Sequence, residues 1–72
     1  MGSKQSTIGQ NDNEAILGSY QDAVKQLYGV LGEKYVAANG DSAATKKADV
    51  AFVAGLTLAR SVRDRALALA SG

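Results

Sequence analysis

The chain has 72 residues with no cysteine, no histidine and no proline, and its eight Lys and Arg against seven Asp and Glu give a formal charge of +1. Such a length allows one domain at most, the missing residues remove disulfides, thiolate or imidazole metal sites and the usual general base near neutral pH, and the charge balance argues against both a strongly basic nucleic-acid binder and an acidic disordered tail. A chain this short hides only about 60% of its unfolded surface, so a partner is the remaining source of reinforcement.

Residues 1–11 read MGSKQSTIGQN, polar and rich in Ser and Gly, with Ile8 the one large aliphatic residue. They are expected to form a flexible N-terminal arm. The start MGSKQS matches M-G-x-x-x-[ST], with Ser6 in the required place, which makes Gly2 a candidate for N-myristoylation. A Met-Gly-Ser start also arises from cloning. One acyl chain anchors only marginally, and Lys4 adds little to it.

Residues 12–72 are expected to form the folded unit. Asp12 or Asn13 can cap a first helix over about 13–38, with Glu14 favoured in the first turn by the helix dipole. Ile16, Leu17, Tyr20, Ala23, Val24, Leu27, Leu31, Tyr35 and Ala38 recur at helical spacing and fall on one side, while Gln21, Asp22, Lys25, Gln26 and Glu33 fall on the other. Tyr20, Val24, Leu27 and Leu31 follow the four-three-four rhythm of a helix-packing seam. Asn39-Gly40 stops the helix, because glycine suits the left-handed position just past a helix end.

Asp41 or Ser42 can cap a second helix over about 42–70. Its expected inward stripe is Ala48, Ala51, Phe52, Gly55, Leu58, Ala59, Val62, Ala66 and Leu69. Arg63 intrudes at the edge, where its stem can lie along apolar surface with the charge in water. The short connection makes the helices antiparallel neighbours, so the predicted fold is all-α, an antiparallel two-helix hairpin behind a flexible arm.

Such a hairpin has too little core to offset its chain entropy. In the first half of the second helix, Val50, Phe52, Val53, Ala54, Leu56 and Leu58 point nearly all round the axis, more than one neighbour can cover. Ala51, Gly55 and Ala59 stand four apart and make a small-residue face that admits a close helix backbone. On the first helix Gly18, Gly29 and Gly32 lie off the main stripe beside Val36, each costing about 1 kcal/mol relative to alanine. They indicate either close packing on a second face or mere tolerance on a solvated one. The expected helix-packing or oligomer interface is therefore Tyr20, Val24, Leu27, Leu31, Ala51, Phe52, Gly55, Leu58, Ala59 and Val62.

Little in the chain suggests chemistry. The seven carboxylates are spread over solvent faces and helix starts rather than paired in a cleft. Tyr20, Tyr28 and Tyr35 recur along one side of the first helix, where packing with hydroxyls at the rim accounts for them better than base stacking, since Lys25 and Lys34 lie elsewhere on the wheel. Arg60, Arg63 and Arg65 are candidates for contact with phosphate or acidic lipid, but they diverge around the helix and also suit a solvated C-terminal end. No apolar run approaches the roughly 18 residues of a transmembrane helix. No secretory h-region is visible, so a cytoplasmic location or a place in an assembly is expected, with peripheral membrane contact left open. No phosphate loop, dinucleotide fingerprint, EF-hand or zinc spacing occurs, and neither catalytic activity nor a cofactor is expected. The leading expectation is a structural or scaffolding subunit that self-associates into a bundle, filament, shell or virion component. The alternatives are a small helical adaptor, tethered through a myristoylated Gly2 or free, and a dimeric helical nucleic-acid regulator.

Overall fold

The structure, a computed structural model, describes the backbone of residues 8–72 and side chains from Asn11 onward. Gly2, Lys4 and Ser6, and with them the lipidation motif, lie outside the described residues. Two helices account for nearly all the rest: α1 (Ile8–Ala38) and α2 (Ser42–Ser71). They run antiparallel as an αα-hairpin, all-α as the sequence predicts.

The helix start differs from the expected one. α1 begins at Ile8, so Asp12, Asn13 and Glu14 lie inside it rather than at its cap. Asn and Asp are poor helix formers, but each costs only about 0.7 kcal/mol against alanine. With neither proline nor glycine between Asn11 and Leu17, the hydrogen-bond ladder continues through them.

The turn is as the sequence indicates. Asn39 and Gly40 both take positive φ, 50° and 85°, a left-handed pair that Asn and Gly adopt most easily. The Asn39 amide donates to the carbonyls of Tyr35 and Val36, and the Asp41 amide donates to Ala38 O at 2.9 Å. Those bonds satisfy donors and acceptors that the helix end leaves open. Asp41 occupies the N-cap of α2 in extended geometry, yet its side chain makes no capping bond. Its carbonyl instead accepts from the Thr45 amide at 3.0 Å, while Thr45 Oγ1 donates to Ser42 O. At the far end the Gly72 amide closes α2 on Ala68 O.

The seam between the helices is narrow. From α1, Ile16, Tyr20, Ala23, Val24, Leu27 and Leu31 are half-buried in it; from α2, Phe52, Gly55, Leu56, Ala59, Arg63 and Ala66 are. Among the described residues only Ala48, at 3% exposure, counts as fully buried. The expected inward stripe of α2 thus divides. Ala48, Phe52, Gly55, Ala59 and Ala66 pack towards α1, whereas Ala51, Leu58, Val62 and Leu69 stay exposed. The reason is geometric: a single neighbouring helix covers one line of a helix surface, and an apolar stripe as broad as this one is wider than that line.

The hairpin is far from a closed globule. Among the described residues the two helices form a single layer with neither broad face covered, and only Ala48 is fully buried.

Candidate association surface

One broad face of the hairpin carries an apolar groove along its length. The α1 wall is built from Ala15, Ser19, Gln26, Val30 and Lys34, the α2 wall from Ala51, Leu58 and Val62, and Leu27, Phe52 and Ala59 lie between them. Periodicity explains the construction. Ala15, Ser19, Ala23, Gln26 and Val30 are spaced four or three apart and share one flank of α1, as Ala51, Leu58, Val62 and Leu69 share the facing flank of α2. Leu58 is 66% and Val62 58% exposed, although both are large aliphatic residues in the middle of an ordered helix.

The groove is poor in polar groups, and no carboxylate lines it. Small-molecule sites enclose most of a ligand's surface and offer a few convergent polar groups; a two-helix layer has no third wall to do so. An elongated apolar channel of this kind suits another helix. Among the described residues no helix is long and apolar enough to cross a membrane, and no three acidic side chains converge as metal ligands.

Three contacts fix how α1 sits on α2. Leu27 packs against Gly55 so closely that a Cβ added there would lie 2.5 Å from Leu27 Cδ2 and 3.3 Å from Cδ1. The Arg63 guanidinium lies over the Tyr20 ring, 4.6 Å from its centroid, within the range of a cation–π contact. Arg63 Nε also donates to Asp64 Oδ1 at 2.9 Å, and that hydrogen bond is the main reason the guanidinium's pKa is raised further. Nearer the turn, Tyr35 Oη donates to Asp49 Oδ1 at 2.5 Å. This bond, then burial and the Asp49 charge, raises the Tyr35 pKa above its ordinary value of 10.0.

The residues expected at the interface fall into two groups. Tyr20, Val24, Leu27, Leu31, Phe52, Gly55 and Ala59 are used within the hairpin, whereas Ala51, Leu58 and Val62 remain on the open groove. At Gly55 the small-residue face is therefore occupied by Leu27 of the same chain, not left for a second one. Arg63 enters the seam instead of merely edging it. Arg60 and Arg65 are exposed and five residues apart, on different sides of α2, so the three arginines present no common surface to phosphate.

Tyr28 departs from the packing expected of the three tyrosines: it is 73% exposed. With Gly29, Gly32, Tyr35 and Val36 it lines a shallow depression on the outer side of α1. Around Gly18, Gly29 and Gly32 no atom lies within 4 Å of an added Cβ, so the chain makes no close packing there. Two features escaped sequence reasoning. The α1 wall was hidden because Gln26 resembles a solvent residue and Val30 stands alone, although the row Ala15, Ser19, Ala23, Gln26, Val30 could have revealed it. The Tyr35–Asp49 bond carries no local signal, since it depends on the register that the turn imposes.

Comparison with known proteins matched the chain to no family, no curated protein and no solved structure.

Proposed function

We propose that this chain is a non-enzymatic structural or scaffolding subunit that acts by associating with copies of itself through the groove. One observation carries the reading: a well-formed pair of helices leaves Leu58, Val62, Leu69 and Val30 in water along one face. Each large aliphatic side chain gains about 1.5–3 kcal/mol when it is fully buried. For a single-layer hairpin with almost no interior, that gain is large beside a typical folding stability of about 5–15 kcal/mol. Stacking two such layers face to face gives a four-helix bundle, the simplest closed form.

Sedimentation velocity across a concentration series, with helicity followed by circular dichroism, tests this. Dimers or larger species whose helicity falls on dilution are the expected result. A well-folded, fully helical monomer at high micromolar concentration overturns the proposal.

A further inference from the structure

Resting on that self-association, we infer that the groove is filled by a second copy in one particular orientation: the two turns lie at the same end of the bundle, and each α1 lies over the partner's α2. The inference comes from charges along the groove's two rims. Asp22 stands four residues before Gln26 and Glu33 seven after it, so both follow Gln26 along the outer edge of the α1 wall. Lys47 stands four residues before Ala51 and Arg65 seven after Leu58, so both follow the outer edge of the α2 wall. All four are exposed. One rim is acidic and the other basic. The remaining acids of α2, Asp49 and Asp64, are held away from the groove rim, on Tyr35 and Arg63 respectively. Lys34 is the one α1 cation in the groove, near its turn end.

Register then decides between the two ways of stacking identical hairpins. Leu27 is level with Gly55, Tyr20 with Arg63 and Tyr35 with Asp49. Glu33 is therefore within a turn of the level of Lys47, and Asp22 is about a turn from that of Arg65. With the turns at the same end, a two-fold axis parallel to the helices brings each acidic rim over the partner's basic rim. Glu33 meets Lys47 and Asp22 meets Arg65, each pair occurring twice. With the turns at opposite ends, α1 lies over α1 and α2 over α2. Asp22 then approaches the other copy's Glu33, and Lys47 approaches its Arg65. Like charges set against each other disfavour that partner geometry.

The test uses the full chain, which has no cysteine of its own. A single Ser42→Cys substitution carries a nitroxide beside the turn, pulsed electron paramagnetic resonance gives the label separation, and sedimentation of the same sample gives the oligomeric state. Same-end stacking places the labels within about 25 Å, from two helix spacings plus the label arms. Opposite-end stacking places them about 45 Å apart, the length of a 30-residue helix. A dimer with the long distance overturns the orientation but leaves self-association standing. A monomer overturns both. Charge reversal gives a second readout at low salt. In the same-end dimer Glu33→Lys weakens association about fivefold, and adding Lys47→Glu restores it. In the opposite-end dimer Glu33→Lys strengthens association, because it would face Asp22.

Discussion

Leu27 of α1 seats its methyl groups directly against the bare Cα of Gly55 in α2, in the space where a side chain would begin. The pair is the closest approach of the two helices that a glycine makes possible, and it sets their spacing at mid-length. Gly55→Ala has two opposed effects. Helix propensity gains up to about 1 kcal/mol, while the Leu27 side-chain tip must swing aside, so the net change is expected to stay within about 1 kcal/mol. Gly55→Leu leaves no such escape and should lose about 1–3 kcal/mol by overpacking. Leu27→Ala should lose about 2 kcal/mol, the low end for a leucine that is half-buried here. Because the two residues share one space, the Leu27→Ala/Gly55→Leu double variant should be less destabilised than the sum of the singles. Urea melts at one fixed protein concentration check this, and strict additivity would disprove the contact.

The Arg63 guanidinium over Tyr20 puts a charge at a seam position where the periodicity favours an apolar residue. Its stem fills the seam, its head stacks on the ring, and Asp64 holds the charge. Arg63→Lys keeps the charge but loses the planar stacking face, so it should melt below the parent protein. Arg63→Ala loses stem and head together and should melt lower still. In a Tyr20→Leu background the drop caused by Arg63→Lys should shrink, since the ring is gone. An undiminished drop in thermal melts would assign the effect to Asp64 instead.

Tyr35 and Asp49 predict an alkaline weakness. The phenol donates to the carboxylate, which raises the Tyr35 pKa in the fold. The raised value means that the neutral phenol is the form the hairpin favours. Its contribution is fully present below the ordinary tyrosine pKa of 10.0 and is lost as pH rises through the higher folded value. Tyr35→Phe should therefore be less stable than the parent at pH 7, and the gap should close above about pH 10, where the parent loses the bond as well. A gap that stays constant to about pH 11.5 in parallel melts would show that the hydrogen bond contributes nothing.

What was legible in the sequence and what was not follow from how local each signal is. The stop at Asn39-Gly40 was legible because consecutive positive φ angles demand those residue types, and the structure places 50° and 85° there. Helix type was legible from the spacing of Tyr20, Val24, Leu27 and Leu31. The start of α1 was not, since the roughly 0.7 kcal/mol that Asp12 and Asn13 each cost inside a helix is too little to stop a growing ladder. The stripe on α2 was right in composition but mixed two faces, because a hydrophobic pattern records every surface that avoids water and not which neighbour covers it. Leu58 and Val62 therefore read the same as Phe52 and Ala59, and only the position of α1 separates them.

That separation allows the groove to be tested apart from the hairpin. Leu58→Gln with Val62→Gln changes two exposed side chains, so the hairpin of a single chain should keep its stability to within about 0.5 kcal/mol per site. Association should weaken at least tenfold, since two aliphatic side chains per copy lose their burial. The control lies on the far side of α1. Gly18, Gly29 and Gly32 have open space around them and ordinary helical φ, so changing all three to alanine should raise helicity and melting temperature, by up to about 1 kcal/mol at each site. If the groove is the interface, the triple-alanine chain should dimerise at least as well as the parent, because a more rigid hairpin loses less entropy on association. If the glycines are themselves the contact surface, three added methyl groups should break the assembly while Leu58→Gln with Val62→Gln leaves it intact. Sedimentation of the two variants side by side distinguishes these results, and the second pattern would move the interface from the groove to the back of α1.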